Sequence, residues 1–93
     1  MSILGKFIKQ PAETESYSID YKDDLTGQDG ISSATVTVFP GGLTIVSHAV
    51  VGTRVKVLVS GGVLGAKHKV TVTAETDDGR VLQDEFIVQI KDY

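Results

Sequence analysis

Ninety-three residues give room for one domain with a modest core, and too little chain for a cleft between two domains. With 41% hydrophobic and 23% charged residues no stretch is biased enough for disorder, and the absence of cysteine excludes disulfides, thiolate nucleophiles and zinc–thiolate centres. The net charge of −3 comes from 12 acidic and 9 basic residues with no Lys/Arg run, which sets nucleic acid aside as a partner.

Taken in chain order, the opening "MSILGKFIKQPAETES" has only a short apolar run before Gly5 and Lys6, so it lacks the hydrophobic region of a signal peptide. No later stretch reaches membrane-spanning length, and the expectation is a soluble protein. Residues 1–13 read as an extended N-terminal arm, with a short strand near 6–9, because Pro11 and the acidic run behind it begin a strand poorly. Residues 14–93 read as a single domain.

That domain opens on "SYSIDYK", where Tyr17, Ile19 and Tyr21 share one face and Ser18, Asp20 and Lys22 the other, the period of a half-buried strand over 14–22. The same alternation predicts strands over 32–38, 43–50, 53–59 and 67–76, dominated by β-branched Val and Thr. Glycine-bearing turns separate them: "DLTGQDG", "PGG", Gly52, "SGGVLG" and "DDG". The last strand, 80–91, carries Phe86, Val88 and Ile90 on its core face. Asp78-Gly79 before it suits a type I′ turn, so 67–91 should form a hairpin protruding beyond the body. No capped i, i+3, i+4 apolar pattern predicts a helix longer than about two turns. The fold class that follows is all-β: an immunoglobulin-like β-sandwich of about seven antiparallel strands, with a small OB-type barrel as the alternative.

Each candidate site weakens on inspection. "SGGVLGAKH" runs into a strand and not into a helix N-terminus, so it is a turn and not a phosphate loop. His68 stands near the start of a strand, where sandwiches carry a tyrosine corner bonding back to the backbone, and a structural role fits it. Ser47 and His48 adjoin in a strand and so face opposite ways, which prevents a nucleophile–base pair. Asp20, Asp23, Asp24 and Asp29, with Asp77 and Asp78, could supply oxygens to calcium but lack EF-hand spacing; they read as solvated turn residues, with Arg54 and Arg80 as possible ion-pair partners. No acid–base pair, metal set or cofactor motif emerges, and the expectation is a non-enzyme with no cofactor.

As a set, Lys9-Gln10-Pro11, Tyr17-Ser18-Ile19-Asp20, Ile31-Ser32-Ser33, Gly42-Leu43, Ser60-Gly61-Gly62 and Gly79-Arg80 resemble, over residues 6–91, short immunoglobulin-like proteins of tailed bacteriophages described as fibre–tail adaptors or small virion proteins. The chain departs from that pattern at His68, where tyrosine is usual, and at Thr37, where an aromatic is common. The resemblance implies a non-enzymatic virion structural protein made in the host cytoplasm. It would bind larger virion proteins at the neck, tail, fibre or capsid surface, as a homo-oligomer in a symmetric particle, with no membrane partner. Phe7, Ile8, Phe39, Asp77, Asp78 and Arg80 are the expected contact residues. The competing reading is a carbohydrate- or host-surface-binding module using calcium, against which stands an aromatic content of 6% with no tryptophan.

Overall fold

The computed structural model describes residues 3–22, 25 and 29–92, with the side chains of residues 3 and 4 excepted. Seven strands account for most of the chain and no helix occurs among the described residues: β1 (Ile3–Lys9), β2 (Thr14–Asp20), β3 (Ile31–Phe39), β4 (Leu43–Val51), β5 (Arg54–Gly61), β6 (Lys67–Thr76) and β7 (Val81–Ile90). They form a four-stranded sheet of order β1-β7-β6-β3 and a three-stranded sheet of order β2-β5-β4. Lettering β2 to β7 as B to G turns these orders into G-F-C and B-E-D, the strand sets of the immunoglobulin sandwich.

Alternation decides which face is buried. Val55, Val57 and Val59 of β5 and Val70, Val72 and Ala74 of β6 are fully buried, as are Val88 and Ile90 of β7. Ile19, Tyr21, Leu43 and Phe86 complete the core between the sheets. Burying each valine side chain is worth on the order of 1.5–3 kcal/mol, so this stripe is the main source of stability in a chain without disulfides.

The structure departs from the sequence expectations in three local respects. First, β1 runs parallel to β7, with Phe7 opposite Val88 and Lys9 opposite Ile90, where antiparallel pairing was expected throughout. Both strands finish at the same end of the sandwich, since β1 turns directly into β2 of the other sheet. The residues expected as an extended arm are therefore hydrogen-bonded into a sheet over Ile3–Lys9. Second, the β6–β7 turn is not type I′, which needs φ > 0 at both central residues. Only Gly79 has positive φ (84°), and Gly79 N–H donates to Thr76 O at 3.0 Å, giving a three-residue loop with Gly79 in the left-handed position. Third, β3 accompanies that hairpin from Phe39 opposite Lys69 to Ile31 opposite Thr76, and the hairpin tip is tied to the residues before β3: Asp77 N–H donates to Gly30 O at 2.8 Å and Asp78 N–H to Asp29 Oδ1 at 3.0 Å.

A bulge at Val46 in β4 places Ser47 opposite Leu58 and His48 opposite Val57, on opposite faces as their adjacency requires. The His48 ring lies on the inner face at the sandwich edge, 3.1 Å from Ala34 O of β3, and so joins the two sheets. Thr37 is exposed on the outer face of β3, opposite Thr71, so its departure from the family pattern leaves the core untouched.

Candidate protein-binding surface

One end of the sandwich gathers the β1–β2, β3–β4 and β5–β6 turns, here the loop end; the opposite end gathers the β4–β5 and β6–β7 turns and the approach to β3, here the tip end. The loop end is organised by two buried polar side chains. His68, with no solvent exposure, donates from Nδ1 to Pro40 O at 2.8 Å and accepts Val63 N–H on Nε2 at 3.2 Å. That pair of partners fixes the hydrogen on Nδ1 and fastens the β3–β4 turn to the β5–β6 turn. The bond to Val63, five residues upstream, is the backbone-directed contact that a tyrosine corner makes.

Lys9 is the second. Its alternation along β1 turns it inward beside Ile90, and Nζ donates to Gly61 O at 2.6 Å and Gln10 O at 2.8 Å. Loss of hydration lowers the Lys9 pKa below the usual lysine range, an effect opposed by the charges of Glu13 and Glu15. Phe7, one pair earlier on the same face, stacks on Tyr17 with centroids 4.6 Å apart and meets the edge of Phe86 at 5.8 Å, so β1 is riveted to both sheets. Gly62, φ 113°, allows the close approach that completes the corner: any Cβ there would collide with Ile90.

What this scaffold displays is apolar. Phe39, preceding Pro40 through a cis peptide, is 76% exposed, and Val63 and Leu64 on the adjoining turn are 52% and 59% exposed. The Cβ position of Gly42 lies 2.5 Å from Val63 Cγ2, which shows how closely the two turns abut. Large apolar side chains held outward on turns that are themselves hydrogen-bonded give a pre-ordered apolar surface, the kind on which little loop ordering would remain to be done on binding.

Of the expected contact residues, Phe39 belongs to this end, whereas Phe7 is turned inward onto Tyr17 and only 40% exposed. Ile8 points outward from β1 at 49% exposure, while Asp77, Asp78 and Arg80 stand at the tip end, more than the length of a strand away from Phe39. The structure thus divides the set between two ends. Sequence reasoning missed Lys9, Val63 and Leu64. An inward lysine carries no sequence signal, and Val63-Leu64 inside a glycine turn was legible only as turn.

The acidic residues are also divided. Asp20 Oδ1 accepts Lys22 N–H and Thr53 Oγ1–H, both at 2.9 Å, and Oδ2 meets Arg54 Nε at 3.4 Å. The Lys22 backbone bond, then Thr53 and Arg54, lower the Asp20 pKa below the usual carboxylate range against the opposing effect of desolvation. Asp29 Oδ1 accepts Gly30 and Asp78 N–H groups. Asp23 and Asp24 lie outside the described residues. Among the described residues no three His, Asp or Glu side chains converge on a metal position, and no pocket opens.

Comparison with known proteins decides the family. The profile of the podophage GP4 fiber-tail adaptor protein gp77 family matches residues 9–89. The chain belongs to that family. It is thus a structural protein of the fibre–tail adaptor kind, and its matched span runs from Lys9 to Gln89, taking in both the Lys9 clasp and the His68 corner. No curated protein matches the chain.

Proposed function

We propose that this protein is a non-enzymatic adaptor in the podophage particle that joins larger virion proteins, a fibre on one side and the tail on the other, through contacts of the loop end. The family match over residues 9–89 carries the reading, and the exposed Phe39, Val63 and Leu64 on turns clamped by His68 give it a surface. Such a surface suits a partner protein: it has no pocket among the described residues, and it gathers an aromatic and two aliphatic side chains into one exposed apolar patch. Ile8, half-exposed on the outer side of β1, adds a flanking contact, and synthesis takes place in the host cytoplasm before assembly.

Particles made from a genome lacking this gene provide the test. Tails without fibres, regaining fibres when the purified chain is added, are the expected result. Fibre-bearing, infectious particles that lack the chain would contradict the proposal.

A further inference from the structure

The outer face of the four-stranded sheet carries a charge pattern opposite to that of the whole chain. Inward placement of Phe86, Val88 and Ile90 turns Glu85, Ile87 and Gln89 outward, and the pairing of β1, β6 and β3 with β7 then sets one transverse row, Lys6, Ile87, Lys69 and Phe39, across all four strands. The next row toward the loop end holds Ile8, Gln89 and Lys67. The carboxylate bordering these two rows, Glu85, is nearly buried and lies 3.5 Å from Lys69 Nζ. This half of the face is therefore basic, with Ile87 between Lys6 and Lys69 and with Ile8 and Phe39 on the two edge strands, in a chain whose net charge is −3.

The complement lies at the tip end. Among the described residues it carries Asp20, Asp29, Glu75, Asp77 and Asp78 against Lys22, Arg54 and Arg80, with Val51 and Val81 exposed at 59% and 66%. Sizes match as well: the molecule is 45 Å long but only 21 × 19 Å across, and four strands at a spacing of about 4.8 Å present a face of similar width.

We infer that the basic outer face of one copy receives the acidic tip of a second copy, so that the chain associates head to tail. Lys6 and Lys67 meet Asp77 and Asp78, and Val81 packs toward Ile87 between Lys6 and Lys69. Because the two surfaces differ, the contact is heterologous and propagates into a ring or a row of copies, not a closed pair. This deepens the adaptor reading and rests on it for the setting in which many copies are brought together. An end of this width buries about 800 Å² over both partners, the size of a weak contact, so association should appear at high concentration and low salt.

The test is sedimentation velocity of the intact chain from about 10 μM to about 1 mM, at about 50 mM and about 500 mM salt. Two variants accompany it, one reversing the face (Lys6→Glu with Lys67→Glu) and one reversing the tip (Asp77→Lys with Asp78→Lys). All four side chains are exposed, and circular dichroism checks that each variant is folded. The expected result is at least about a twofold rise in average mass for the native chain, lost at high salt and in either variant alone, and regained when the two variants are mixed. A native chain that stays monomeric throughout, association indifferent to the reversals, or a mixture that fails to associate would each overturn the inference. Incorporation of the same variants into particles separates the two readings: a monomeric chain whose face-reversed variant is excluded from particles assigns the face to a different virion protein, overturning self-docking and leaving the adaptor role intact.

Discussion

The two ends of the sandwich are held by opposite means. At the loop end, buried side chains reach into the turns: His68 binds two backbone groups, Lys9 binds two carbonyls, and Gly62 lets Ile90 close against the corner. At the tip end, carboxylates do the fastening: half-buried Asp29 accepts two N–H groups on Oδ1 while its Oδ2 is buried without a hydrogen-bond partner, and exposed Asp20 collects Lys22, Thr53 and Arg54. A buried donor or acceptor that loses its partner costs its full desolvation, whereas water replaces a partner lost at the surface. The loop end should thus be rigid and intolerant of change, and the tip end more forgiving and weakened by acid and salt.

Glycine substitution gives the sharpest contrast. Gly62→Ala combines a positive φ with a collision against Ile90 and should cost about 3–5 kcal/mol in urea unfolding, enough to unfold a marginal domain. Gly79→Ala has the same kind of φ but open space around it, and about 1–2 kcal/mol is expected. Equal losses would remove the distinction between the ends. Next in size is His68→Phe, which keeps a ring but strands Pro40 O and Val63 N–H; about 2–4 kcal/mol should be lost, read from the same unfolding curves.

The two titrating groups separate the ends further. The folded-state pKa of Lys9 lies below its unfolded value, so between the two the unfolded chain holds more protons and stability rises with pH. Melting temperature should therefore climb through that alkaline interval in the native chain, and Lys9→Met should remove the climb. Asp20 works at the acid end: its folded pKa is also depressed, so its contribution is fully present above about pH 4 and is lost as pH falls through the folded value. Asp20→Asn should flatten the acid limb of the melting profile slightly, the smallest effect of the series.

Much of the fold was legible because every buried strand alternates. The valines of β5 and β6, and Phe86, Val88 and Ile90, announce their inner faces in the sequence, and turn glycines mark the boundaries. What escaped has a physical reason in each case. The parallel pairing of β1 depends on which sheet the chain enters next, which no local pattern encodes. The bulge at Val46 shifts register without a glycine to mark it. An interior lysine contradicts burial preference and is tolerated only because Gly61 O and Gln10 O happen to lie within reach. Of the candidate surface, Phe39 was readable as an aromatic beside a Pro-Gly-Gly turn, while Val63 and Leu64 became visible only once the His68 corner brought the two turns together. Lys9-Gln10-Pro11 and Ser60-Gly61-Gly62, far apart in the chain, are in contact through the Lys9 amine, which gives that part of the family resemblance a structural cause.

The most direct measurement is the copy number of this chain per purified particle, by quantitative mass spectrometry, for the native protein and for a doubly substituted loop-end variant, Phe39→Ser with Leu64→Ser. Both side chains are exposed, so the variant should fold with unchanged melting temperature. The account expects a fixed small number of native copies per particle and at least about a tenfold loss of the variant, the equivalent of about 1.4 kcal/mol of contact energy. A folded variant incorporated at the native level would contradict the claim that the loop end is the adaptor surface.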